Sequence, residues 1–201
     1  NIMKLNVVIA IIILFTPNVF SQQEKTIPIG TKVIIDGKAE KAEWKDANSV
    51  SIKIEKDWTV KIFFKQDSNN LYFRFSNLKK DEKNELYPEV LIDAKNSKSK
   101  IWEKNQWWFH TSYSNCEGNG VFNNYKSCKK GEKTGWNGNN FPINIGGDVE
   151  ISVSKSLISA NTGDTIGLAF DVTDTQKKWF VYPANAKLES PETWAKFKLS
   201  K

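Results

Sequence analysis

The sequence predicts an all-β protein, an antiparallel β-sandwich of two sheets. Three stretches carry that prediction. Thr59–Lys65 (TVKIFFK) sets Val60, Ile62 and Phe64 against Thr59, Lys61 and Lys65. Leu71–Ser76 (LYFRFS) sets Leu71, Phe73 and Phe75 against Tyr72, Arg74 and Ser76. Asp148–Ser154 (DVEISVS) sets Val149, Ile151 and Val153 against Glu150, Ser152 and Ser154. Side chains alternate between faces along a strand. One-sided apolar alternation therefore marks strands with one buried and one wet face, as in antiparallel sheets.

The elements follow in chain order. Residues 1–21 read as a secretory signal peptide. Lys4 gives a positive start, residues 7–15 (VVIAIIILF) an apolar run, and Val19-Phe20-Ser21 a cleavage site before Gln22. That run is too short to span a bilayer as a helix, which takes about 20 apolar residues. The expected mature chain, 22–201, is then one exported, soluble domain: secreted, periplasmic or on the cell surface. Ala39–Ala47 (AEKAEWKDA) holds the one helical suggestion, a short turn. Further strands are expected at 50–55, 87–93, 107–113, 165–172, 179–182 and 195–199. Turn clusters separate them, such as Asp67-Ser68-Asn69-Asn70, Gly146-Gly147 and Asn161-Thr162-Gly163-Asp164. Many short strands with such punctuation favour a sandwich.

One segment breaks the rhythm. Residues 114–140 hold seven Asn, five Gly and both cysteines. A structureless stretch of this length is unusual inside a compact domain and is commonly functional or disordered. It is expected as a long polar loop at the rim of the sandwich. In an oxidising compartment Cys116 and Cys128 are expected to pair as a local disulfide, two free thiols being the alternative.

Composition excludes several chemistries. A single His and two Cys among 201 residues cannot supply a four-ligand zinc site of the usual His/Cys kind, nor bis-histidine haem ligation. The formal net charge is +6, yet Arg74 is the only arginine. That argues against designed reading of phosphate or bases, which favours the bidentate Arg fork, and nucleic acid is not expected as a partner.

Several motifs together suggest a family. Ile35-Asp36-Gly37 leads to Ala42-Glu43-Trp44-Lys45-Asp46-Ala47, then to Thr59-Val60-Lys61-Ile62 and Asn70-Leu71-Tyr72-Phe73. Asp148–Val153, Gly163–Gly167 and Ser190-Pro191-Glu192-Thr193-Trp194-Ala195 follow. This order resembles the family 9-like carbohydrate-binding modules of secreted bacterial xylanases, over about residues 33–200; the middle, 94–145, fits poorly. The resemblance implies a β-sandwich that binds oligo- or polysaccharide without catalysis, sometimes with structural calcium, and with paired Trp around a sugar ring. No other cofactor is implied.

The eight tryptophans then have to be sorted. Trp44 and Trp194 sit in motifs that recur with the fold and are expected in the core. Trp58 shares the parity of Val60, Ile62 and Phe64 and is expected to be buried. In Trp107-Trp108-Phe109-His110, strand parity puts Trp107 and Phe109 on one face and Trp108 and His110 on the other. Trp108 with His110 is expected outward, with a satisfied core or edge histidine as the alternative. Trp102 lies in or beside a loop. Trp136, in a polar loop context, is expected to bind. Trp179 reads equally as core or site.

Arg74, outward beside Tyr72, is a candidate to bridge sugar hydroxyls or to orient Glu89; a surface ion pair is the alternative. Asp171 and Thr173 share a face with Gly167 and Ala169, and those small residues leave room for a covering loop or a ligand. Calcium needs six to eight oxygens, and Asp93, Asp171 and Asp174 at strand ends are the weakly indicated donors.

The leading functional expectation is a secreted, non-catalytic sugar-binding module. A hydrolytic or hydrolase-associated domain acting on O-glycosyl bonds is one alternative, but no motif selects a carboxylate pair. A haem-type electron-transfer sandwich lacks axial ligands. A surface interaction domain without a sugar ligand is the remaining alternative.

Overall fold

The computed structural model describes residues 24–111, 115–118, 134–139 and 146–201, with backbone alone for 115–118. The expected signal peptide and the expected Cys116–Cys128 disulfide lie outside the residues so described.

Among the described residues twelve strands form two sheets. They are β1 (Lys25–Ile27), β2 (Asn48–Lys53), β3 (Thr59–Gln66), β4 (Asn70–Ser76), β5 (Leu86–Asp93) and β6 (Gln106–His110). Then come β7 (Asn115–Gly118), β8 (Trp136–Gly138), β9 (Val149–Ser154), β10 (Thr165–Asp174), β11 (Trp179–Tyr182) and β12 (Ala195–Leu199). The front sheet runs β1-β12-β10-β5-β6-β7, with β11 also on β10. The back sheet runs β2-β3-β4-β9-β8. All pairings are antiparallel except β1 with β12.

The expected alternation builds the core. Val60, Ile62 and Phe64, with Leu71, Phe73 and Phe75 and with Val149, Ile151 and Val153, face inward from the back sheet. Val90, Ile92, Ile166, Leu168, Phe170, Val172 and Phe197 meet them from the front sheet. Trp58 joins this layer, as parity requires.

The outer face of the back sheet is covered by the chain before β2. Here Trp44 packs with Val33 and Tyr72 in a satellite cluster rather than between the sheets. Buried Glu150 anchors the cover: its carboxylate accepts Trp44 Nε1 at 2.9 Å and the Gly37 N–H at 3.1 Å. Gly37 sits at φ 77°, a left-handed conformation open to glycine at little cost.

Local detail is added at three places. The short helical turn expected near 39–47 is present as two successive turns, Glu43 N–H to Glu40 O at 3.0 Å and Ala47 N–H to Trp44 O at 3.2 Å. A one-turn helix follows β9, at Lys155–Ile158. The expected 114–140 loop carries short strands at both ends, β7 and β8, each continuing an edge.

Candidate functional site

Cross-strand register assembles a polar row on the outer face of the front sheet. Asp171 of β10 stands opposite Glu89 of β5, and Glu89 opposite His110 of β6. Thr173 and Tyr87 pair in the same way two residues along. Glu89 is held from one side: one carboxylate oxygen accepts Trp108 Nε1 at 2.6 Å, and the other lies 2.8 Å from His110 Nδ1. The indole and imidazole rings stack loosely, centroids 4.6 Å apart.

Two tryptophans meet above this row. Trp108 pairs with Leu91, which faces Ala169, whereas Trp179 pairs with Thr173. The two indoles therefore start about 13 Å apart along the strands and three strands, about 14 Å, apart across them. Their ring centroids are nevertheless 6.0 Å apart, so both lean inward over the row between them. Trp108 is 5% exposed and Trp179 46%; the outer ring is Trp179. Behind Trp108, Trp102 and Trp194 pack edge to face at 5.8 Å over Leu91 and Ala169. The space left by the small Ala169 is thus filled by a covering loop. Trp102 Nε1 donates to Leu188 O and Trp194 Nε1 to Lys187 O, which ties that loop to the sheet.

Asp171 is the unusual group. It is 0% exposed; no backbone N–H or cation among the described residues donates to it, and the side chains that engage its carboxyl are Glu89 and Thr173. Its neighbour Glu89 is an acceptor too, so close contact between the two carboxyls requires a proton. Burial, reinforced by Glu89, accordingly pushes the Asp171 pKa well above the ordinary carboxylate value.

This has a consequence for stability. A carboxyl whose folded pKa is raised contributes most below its unfolded value, near 3.8. That contribution is lost as pH rises through the folded value. Asp171→Asn escapes this loss. The variant is expected to be more stable than the parent by roughly 1–3 kcal/mol at neutral pH. The gap should close toward pH 4, as measured by chemical denaturation across the range. A gap independent of pH would contradict the assignment.

The sequence candidates divide between the two sheets. Trp108, His110, Glu89, Trp179 and Asp171 come together on the front sheet. Trp194, expected in the core, is buried here in the outer cluster instead. Tyr72 and Arg74 lie on the back sheet, so Arg74 does not orient Glu89. Its guanidinium holds Asp148 at 2.5 Å and stacks on Phe63 at 5.0 Å, while the Tyr72 hydroxyl donates to Asp67 at 2.6 Å. Trp136, expected as an exposed binding residue, is instead core: it is 1% exposed and packs on Phe109 at 5.5 Å. Its strand pairs with β9, opposite Val153, and strand parity turns the ring inward.

The three candidate calcium donors do not converge. Asp93 pairs with Gly167, four residues or about 13 Å from Asp171. It accepts from Asn105 Nδ2 at 2.6 Å and Ser97 Oγ at 3.1 Å. Asp174 has the opposite parity and caps the hairpin by accepting the Gln176 and Lys178 N–H groups, each at 2.8 Å. Among the described residues no three His, Cys, Asp or Glu side chains cluster to hold a metal. These residues do not fit a calcium site. No helix among the described residues is long and apolar enough to cross a membrane.

The sequence reading placed Asp171 and Thr173 on one face and Trp102 beside a loop, but it did not pair Asp171 with Glu89 or Thr173 with Tyr87. Parity was the available signal: residues 87 and 89, and 171 and 173, each share an outer face. The register that sets them opposite one another was not readable.

No protein-family model matches the sequence, and no curated protein matches it. Solved structures do. The chain is similar to a family 9 carbohydrate-binding module from Caldicellulosiruptor kristjanssonii in complex with cellotriose. The TM-score is 0.64 at 15% identity, covering 89% of this chain and 94% of that one. It is also similar to a family 9 module from the same organism in complex with glucose, with a TM-score of 0.60 at 14% identity, covering 89% and 96%. The chain has the family 9-like carbohydrate-binding-module fold, an all-β sandwich.

Proposed function

We propose that this chain is a secreted, non-catalytic carbohydrate-binding module whose sugar site is the outer face of the front sheet. One observation carries the reading: the exposed Trp179 ring meets Trp108 over a buried row in which no cation or backbone N–H among the described residues donates to Asp171. Sugars offer apolar C–H faces to indoles and hydroxyl donors to carboxylates. In this reading Trp179 swings aside or slides along a ring, and sugar hydroxyls reach Asp171, Thr173 and the His110 edge. The similar modules in complex with cellotriose and glucose support the ligand class. Export follows from the expected signal peptide over residues 1–21.

Binding is favoured over hydrolysis by the placement of the carboxyls. Glu89 and Asp171 are neighbours on one sheet face, whereas glycoside hydrolysis uses carboxylates on opposite sides of the scissile bond.

The test is calorimetry and affinity electrophoresis with cello-oligosaccharides and a panel of plant and microbial glycans. Trp179→Ala removes an exposed ring at the edge strand and leaves the core intact. It is expected to weaken binding at least about 30-fold, the scale of a central aromatic contact. No binding by the parent to any glycan, or equal binding by Trp179→Ala, would refute the assignment.

A further inference from the structure

Buried carboxylates elsewhere in the described chain are neutralised or bonded. Glu150 accepts from Trp44 and Gly37, and Asp93 from Asn105, Ser97 and the Lys95 N–H. Half-buried Asp148 has Arg74, and Asp46 has Lys65. Asp171 differs: it is fully enclosed, has no cation or backbone N–H among the described residues, and stands beside a second carboxyl; of the other carboxylates only one oxygen of the half-buried Glu85 is left without a partner. The groups facing it are known from each packed strand. On β5 they are Glu89 and Tyr87; on β10, Thr173; on β11, Val181 and Trp179; and on β6, His110 beyond Glu89. Among the described residues no Lys or Arg faces it from these strands.

An enclosed pair of carboxyls beside two indoles has a definite chemical complement. A neutral hydroxyl donates one hydrogen bond and brings no charge. An ammonium group brings three donors and a full positive charge, and aromatic faces attract it as well. Resting on the sugar-site reading above, we propose that the Glu89–Asp171 pair selects sugars bearing a protonated amine, so that the preferred ligands are 2-amino-2-deoxy glycans. On binding, the Asp171 carboxylic acid releases its proton to solvent. The resulting carboxylate accepts an N–H from the ligand ammonium, and no other bond changes. The chain carries a formal charge of +6. Diffuse electrostatics therefore repel a cationic glycan, and a preference for one must come from a local acidic site.

The experiment compares the β-1,4-linked glucosamine trimer with cellotriose, which differ at the C2 substituent. Titration calorimetry is run at a pH where the amine is charged, in two buffers of different ionisation enthalpy. The glucosamine trimer is expected to bind roughly tenfold tighter, on the scale of a shielded cation–aromatic contact, with about one proton released per site, as linkage requires. Asp171→Asn, checked for folding by its melting curve, is expected to abolish both the preference and the proton release. If cellotriose binds as well as the amino trimer, or no proton is released, the amine selection is wrong and the sugar site stands. If neither trimer binds, both readings fall.

Discussion

Phe170→Ala is expected to destabilise the fold by about 3–5 kcal/mol, the range for truncating a buried aromatic. Phe170 lies at the centre of β10, between Val90 of β5 and Tyr182 of β11. Its ring stacks on Phe64 at 6.4 Å and meets Phe73 and Phe75 of the back sheet at 5.6 and 5.9 Å. Phe197 and Tyr182 of its own sheet lie at 6.1 and 6.2 Å. Removing the ring opens a cavity walled by five aromatic rings from both layers. These rings are fixed by two hydrogen-bonded sheets and collapse poorly, so the cavity term persists. In urea denaturation the midpoint should fall while the slope stays nearly constant. Phe170→Leu, which refills much of the volume, should lose less than half as much. A loss below about 1 kcal/mol for alanine would mean that the layers repack freely.

Asp46→Ala is expected to cost about 2–4 kcal/mol, because it strands a buried cation. Lys65 belongs to the outward parity of β3, yet its side chain is fully enclosed under the segment before β2. Its ammonium donates to Asp46 at 2.8 Å, to Thr31 Oγ1 at 3.0 Å and to the Glu43 carbonyl. Asp46 also accepts the Thr31 N–H at 2.8 Å. Gly30 makes room for this carboxylate, since a Cβ there would lie 2.7 Å from the Asp46 carboxyl carbon. Asp46 is partly exposed, which moderates the cost. Adding Lys65→Met to Asp46→Ala should recover most of the loss, because the stranded charge and not the missing contact is the penalty.

The pH dependence of the same pair has a definite sign. Burial pushes the Asp46 carboxyl up, but Lys65 and the Thr31 N–H outweigh it, and the net shift is downward from 3.8. Its stabilisation is therefore present above that value and lost as pH falls through the lower folded one. Parent and Asp46→Ala stabilities should converge in acid. Equal spacing at all pH values would show that the carboxylate is not the stabilising species.

Much of the sandwich was readable because period two is a local signal. Thr59–Lys65, Leu71–Ser76 and Asp148–Ser154 each state which side chains turn inward, and each does so in the fold. The two short strands in 114–140 were not readable. Three or four residues rich in Asn and Gly carry no alternation, and they become strands by continuing an edge already formed. Trp136 was misread for that reason: a polar local context hid a position whose parity is set by β9.

The candidate site divides in the same way. Alternation along 107–110 put Trp108 and His110 on the face away from Trp107 and Phe109, and that is where they lie. It could not say which sheet that face belonged to. Arg74 has a parity equally outward, but on the other sheet, where it meets Asp148 instead of Glu89. By itself, the sequence determined the fold class and the inward residues of the longer strands. Only the tertiary structure decided that Asp171, Glu89 and His110, far apart in the chain, form one enclosed row beneath Trp108 and Trp179. Parity is a property of one strand, whereas register between strands is set by packing across the whole sandwich.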